Sequence, residues 1–227
     1  MAGRSRAGFR AAWRARDYRL ILAASTASQT GDWLYNVALL VWVYDATHSA
    51  GWVALMTVAR LAPYPLFGPL GGLVADTFDR RRVLITSDLV RVALMGALSL
   101  VTVADGSVIL AATIAFATTV CGTAYRPAVV AMLPDIVGER ALASANATES
   151  VVENLAVVAG PMIGAGLLAI GSPSMAFAVN GLTFLVSALI AYGLRTHSRG
   201  RGADEHASHV RWSRRIARGL PTPRNGK

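Results

Sequence analysis

Charge is scarce in the body of this sequence, and thiols are almost absent. Only 15% of the 227 residues are charged, 54% are hydrophobic, and a single cysteine, Cys121, is present. One thiol excludes a disulfide framework or a thiol metal site built within the chain. There is no His-Glu-x-x-His metal motif, no nucleotide-binding loop and no intramembrane protease pair. No catalytic residue, metal or cofactor is therefore expected, and work done on a solute would draw on an ion gradient or on another subunit's ATP hydrolysis. The N-terminus also lacks a signal-peptide pattern. Its first apolar run exceeds a signal h-region and is followed by no small-residue cleavage site with a polar flank.

What the sequence has in abundance is long apolar runs, and its mean hydropathy is +0.46. A helix needs roughly 20 apolar residues to cross the hydrocarbon core. Candidates lie at Leu20–Tyr44, Gly51–Ala75, Val83–Val103, Ser107–Leu133, Ala141–Ile170 and Pro173–Leu194. The expected fold is all-α: a polytopic membrane protein of six transmembrane helices at 20–194, between basic segments at 1–19 and 195–227. The net charge of +9 sits at the ends, with six Arg and one Asp in 1–19 and seven Arg, one Lys, one Asp and one Glu in 196–227. Basic flanks held beside a bilayer need no nucleic-acid partner to explain them. The loops assigned outside carry no Lys or Arg, while those assigned inside carry Arg80, Arg81, Arg82 and Arg140. The positive-inside rule then places both termini in the cytoplasm. Within the tail, His209–Leu220 reads either as a short basic interfacial helix or as an unstructured stub.

Ionisable groups inside a bilayer cost several kcal/mol unless paired, so each needs a reason. Asp32 falls about 12 residues into the first helix, near mid-bilayer at 1.5 Å rise per residue. Gln29, Asp32 and Asn36 form one polar stripe by helical spacing. Arg60 lies at a comparable depth and is the expected partner of Asp32; alternatively that carboxylate titrates and carries a proton. Asp88, Arg91, Arg126 and Glu149 coincide in depth, with Glu153 one turn deeper, and read as a charge network or a substrate contact. Pro127 removes a helix hydrogen bond and is expected to kink the fourth helix.

The loop Gly72-x-x-x-Asp76-x-x-x-Arg80-Arg81-Arg82 resembles the cytoplasmic signature of the major facilitator superfamily, with Thr77 and Asp79 departing from its usual residues. In that signature glycine permits close helix approach, aspartate caps a neighbouring helix end and the arginines form switchable ion pairs. The resemblance implies that Arg80 pairs with Asp135, and that Asp76 caps a helix in a second half of the molecule. Gly160-Pro161-x-x-Gly164 in the fifth helix, with Ala165 following, is similar to an element of proton-coupled exporters, which disfavours an importer. Gln29-Thr30-Gly31-Asp32-Trp33, Ser87-Asp88-Leu89-Val90-Arg91 and Arg126-Pro127-Ala128 look like the branch that holds macrolide and enterobactin exporters.

The resemblance covers about Tyr18–Leu194 and implies one half of a two-half transporter, itself an inverted three-plus-three repeat. The expected function is proton-coupled efflux of small amphipathic molecules across the plasma membrane. Gln29, Asp32, Asn36 and Arg126 would line the half-cavity. Expected partners are the bilayer, a small-molecule substrate and the proton, with a second six-helix half or a second copy completing the site. Three origins would account for one half: truncation or frameshift of a longer gene, which ranks first because the tail after Leu194 resembles an inter-half cytoplasmic loop; a half-transporter that pairs with itself or with another chain; or a fragment. The competing reading is a non-transporting scaffold or an inactive remnant of a transporter gene.

Overall fold

The computed structural model describes residues 9, 10 and 12–196, and the expected interfacial helix at His209–Leu220 lies outside them. From Arg16 onward the chain forms α1 (Arg16–Thr47), α2 (Ala50–Leu61), α3 (Pro63–Thr77), α4 (Arg80–Val103), α5 (Val108–Gly122), α6 (Tyr125–Val137), α7 (Glu139–Ile170) and α8 (Pro173–Tyr192). No strand interrupts them among the described residues. Helices α2 and α3 together form the second expected stretch, and α5 and α6 the fourth.

Proline explains both divisions. Pro63 opens α3 directly after Ala62, and a proline has no N–H to continue the preceding turn. Pro127 crowds the carbonyl four residues back, and α5 accordingly ends at Gly122, with Thr123 and Ala124 outside both helices. The kink expected from Pro127 is thus present as a break one turn before it.

Five of the six stretches are long and apolar enough to cross a membrane: Ala50–Thr77, Arg80–Val103, Val108–Val137, Glu139–Ile170 and Pro173–Tyr192. The sixth expected one, α1, does not qualify by composition. Ser25, Ser28, Gln29, Thr30, Asp32 and Asn36 dilute its apolarity. It occupies the interior of the bundle, with Tyr18, Ile21, Leu34, Tyr35, Ala38 and Leu39 buried.

The packing repeats itself. Helix α1 packs against α7 and α8, while α5 and α6 pack against α2, α3 and α4; α4 meets α8. Exchanging the first three stretches for the last three reproduces this pattern, as an inverted repeat requires. Small residues set the closest approaches, as they do wherever lipid removes the hydrophobic drive between helices. A Cβ added at Gly160 would lie 2.4 Å from Trp33 Cβ, and one at Gly164 would lie 2.6 Å from the Leu34 carbonyl oxygen. Backbone of α7 therefore touches α1 where a side chain would hold them apart.

Candidate functional site

The loop from Thr77 to Arg82 gathers charge at one end of the bundle. Asp79 caps α4, accepting from the Arg82 N–H at 3.0 Å. Arg80 is buried and donates to Asp135 Oδ2 at 3.3 Å and to the Ala131 carbonyl at 2.9 Å. The Arg80–Asp135 pair is the one the resemblance implied. Arg81 donates to the last carbonyls of α8, at Ala191 (3.3 Å) and at Tyr192, and stacks its guanidinium on the Tyr192 ring. A cation at a helix C-terminus also complements the dipole.

The same end holds a second tie. Asp17 Oδ2 accepts the N–H groups of Arg195 (3.0 Å) and Thr196 (2.8 Å) and the Thr196 hydroxyl (2.6 Å). Burial works against its charged form, yet these bonds and the neighbouring Arg16 outweigh it and hold the carboxyl below its ordinary range. Asp76, by contrast, is exposed. Within this chain the close approach is made by the neighbouring glycine: a Cβ at Gly72 would meet open space, whereas one at Gly71 would sit 2.6 Å from the Thr123 carbonyl. The break before Pro127 presents that carbonyl to α3, and the register of α3 turns Gly71 toward it.

Between the two ends lies a cavity of about 510 Å³. Its walls include Gln29, Asp32, Asn36 and Arg126, together with Arg60, Arg91, Glu149 and Glu153. Five helices converge there: α1 with its polar stripe, α2 with Arg60, α4 with Arg91, and α6 with Arg126 facing two carboxylates of α7. Gly160, Gly164 and Pro161 stand along α7 where it meets α1, not on the cavity wall.

The ion pairs differ from those expected. Asp32 is bound by Arg91, whose Nη1 donates to Asp32 Oδ2 at 3.0 Å. Arg91 Nη2 donates to Asp88 Oδ1 at 2.5 Å and to Ser28 Oγ at 2.8 Å. Arg60 instead donates to the Tyr35 hydroxyl at 2.9 Å and to Asn36 Oδ1, with its guanidinium 4.6 Å from the Tyr35 ring centre. Tyr35 and Asn36 intercept it before it can reach Asp32, which it influences only through space. Nor do Asp88, Arg91, Arg126 and Glu149 make one network. Helices α4 and α7 are not packed on each other, so equal depth does not bring their charges together. Arg126 pairs with Glu153.

Sequence reasoning missed several wall residues. Ser25 and Ser28 continue the stripe of Gln29, Asp32 and Asn36 by one turn, and helical spacing alone would have found them. Tyr35, which holds Arg60 from behind the wall, carries no such signal, because an aromatic at helical spacing also serves as core. Tyr125 is similar: buried, it lies 5.3 Å beneath the Arg91 guanidinium and shares a 3.1 Å hydrogen bond with Ser187.

Comparison with known proteins adds a family. Residues 7–207 match the model of a family described as transmembrane secretion effector. An uncharacterised MFS-type transporter of Bacillus subtilis, YfiS, is 27% identical over 176 residues, covering 77% of this chain and 41% of that protein. Macrolide efflux protein A of Streptococcus pyogenes is 22% identical over 178 residues, covering 78% of this chain and 44% of its own. The multidrug efflux pump Tap of Mycobacterium tuberculosis is 28% identical over 201 residues, covering 83% and 46%. The chain thus spans less than half the length of these relatives.

Proposed function

Since the chain belongs to the transmembrane secretion effector family of the major facilitator superfamily, we propose that it supplies one half of a proton-coupled exporter of small amphipathic molecules. The observation that carries this reading is the charged cavity in the middle of an otherwise apolar bundle. Lipid gives no reason to keep charges at that depth, and a solute pathway does. Gln29, Asp32, Asn36 and Arg126 form this half of the pathway. A second six-helix half or a second copy forms the other. Asp76, exposed beside the occupied Arg80 and Arg81, is the residue left to engage that partner. In this reading the chain sits in the plasma membrane with both termini and the Thr77–Arg82 loop in the cytoplasm. Its segments are the bundle at 20–194 and the basic flanks at 1–19 and 195–227.

The competing reading is a non-transporting scaffold or an inactive remnant of a transporter gene. Inside-out vesicles carrying the chain with a complementary half, or within a full-length assembly, separate the two. Acidifying the lumen should drive uptake of an amphipathic dye, and Asp76→Asn should abolish it while membrane insertion stays intact. Uptake that ignores the proton gradient would remove proton coupling, and no uptake by any assembly would leave the scaffold.

A further inference from the structure

The charges around the cavity do not balance. Arg60, Arg91 and Arg126 supply three guanidinium groups, whereas Asp32, Asp88, Glu149 and Glu153 supply four carboxylates. However the pairs are drawn, one negative charge is left over, and an uncompensated charge inside a membrane protein is costly. The geometry identifies which carboxylate it is. Asp32 and Asp88 share Arg91, and Glu153 holds Arg126. Asp88 also stands behind Arg91, fully buried and off the cavity wall. Glu149 lines the cavity and makes no ion pair among the described residues, and its Oε1 is buried without a hydrogen-bond partner. The polar group that α1 turns toward it is the neutral Ser25 hydroxyl, which cannot balance a charge.

Among the described residues the surroundings supply no further cation to fill this role. Helix α1 offers the Tyr18 ring, and α6 offers Tyr125 and Arg126, the last already bonded to Glu153. Helix α7 itself adds only Glu153, a like charge. Helix α8 carries no charged residue.

We propose that Glu149 is the exchangeable-cation site of the cavity, holding the positive group of an organic cation in one state and a proton in the other. This rests on reading the cavity as a solute pathway, and it moves the exchange away from Asp32, whose carboxylate is already engaged by Arg91. Arrival of the cation converts Glu149 from carboxylic acid to carboxylate and releases one proton, so the cavity stays neutral in both states. Two cations competing for one carboxylate couple their movements without contact between them.

The test uses the whole 227-residue chain in nanodiscs of zwitterionic lipid, where the surface does not favour cations. Tetraphenylphosphonium and tetraphenylborate have the same shape and opposite charge, and their binding is read by equilibrium dialysis. The cation should bind at least about tenfold more tightly than the anion, and Glu149→Gln should lower its affinity by about tenfold or more. Glu149→Asp, which keeps the charge, should retain most of the affinity and guards against a folding artefact. Binding should weaken as pH falls in the unmodified chain and lose that dependence in Glu149→Gln. Equal binding of the two probes, no binding of the cation, or an unaltered Glu149→Gln would each overturn the proposal. None of these measurements involves transport. An assembled exporter that fails to pump therefore leaves the site standing, and a failed site leaves the efflux reading intact.

Discussion

The arginine-bearing end of the bundle and its central cavity use the same residue types in opposite ways. At the end, Arg80 and Arg81 spend their donors on carbonyls of Ala131, Ala191 and Tyr192 as well as on Asp135, and Asp79 and Asp17 accept backbone N–H groups. Backbone partners cannot move without moving a helix, so these charges act as fasteners. In the cavity the partners are side chains, from different helices except for Arg91 with Asp88, and one carboxylate has no ion pair. Side-chain pairs can be exchanged at the cost of a rotamer change, which suits a site that must let something in and out. Charge next to backbone fixes a fold, whereas charge next to charge leaves it adjustable.

The strongest way to break that contrast is to remove the one cavity cation that behaves like a fastener. Arg91 serves both Asp32 and Asp88, and Arg91→Leu would strand two carboxylates. Losing one partner of a buried pair costs about 3–5 kcal/mol, so the variant should unfold at clearly lower denaturant in detergent. An unchanged midpoint would place Arg91 among the adjustable charges instead. Next in size are the paired glycines. Gly71→Ala pushes a methyl against the Thr123 backbone and should cost about 1–3 kcal/mol by overpacking, while Gly72→Ala, facing open space, should be close to neutral. Thermal melts of the two variants side by side decide between this geometry and the motif-based assignment to Gly72.

A smaller effect is expected at the fastened end. Asp79→Ala removes the α4 cap and should lose about 1 kcal/mol, read as faster amide exchange in the first turn of α4. The smallest concerns Asp17. Its carboxyl titrates below its ordinary value of 3.8, so its stabilising contribution is fully present above that value and is lost as pH falls through the lower folded one. The gap in stability between the native chain and Asp17→Asn should be constant near neutrality and shrink only in strong acid. A gap that closes already near pH 6 would contradict the hydrogen bonds to Arg195 and Thr196.

The membrane class, the all-helical fold and the break before Pro127 were legible because each depends on local chemistry: run length, apolarity and a missing N–H. Arg80 with Asp135 was legible for a different reason, since a resemblance carries a contact between residues 55 positions apart that no periodicity reveals. Depth along a helix was also readable, and it put the right charges near the cavity. Azimuth was not. Asp32 and Arg60 share a level, but which way each helix turns its face depends on packing, and Tyr35 lies in the gap. The composition of α1 misled in a comparable way, for a helix enclosed by other helices has no need of the apolarity that lipid demands.

The tie between Asp17 and Thr196, with Arg16 Nη1 on the Gly193 carbonyl at 3.0 Å, leaves the start of the first helix touching the end of the last. The bundle is in effect a closed ring of elements whose covalent order is only one way of reading around it. A short linker joining Thr196 to Arg16, with new ends opened at Gly138, where the exposed backbone already takes a φ of 69°, would give a circular permutant with the contacts among α1–α8 retained. Both new ends would emerge at the end of the bundle that carries Arg16 and Thr196.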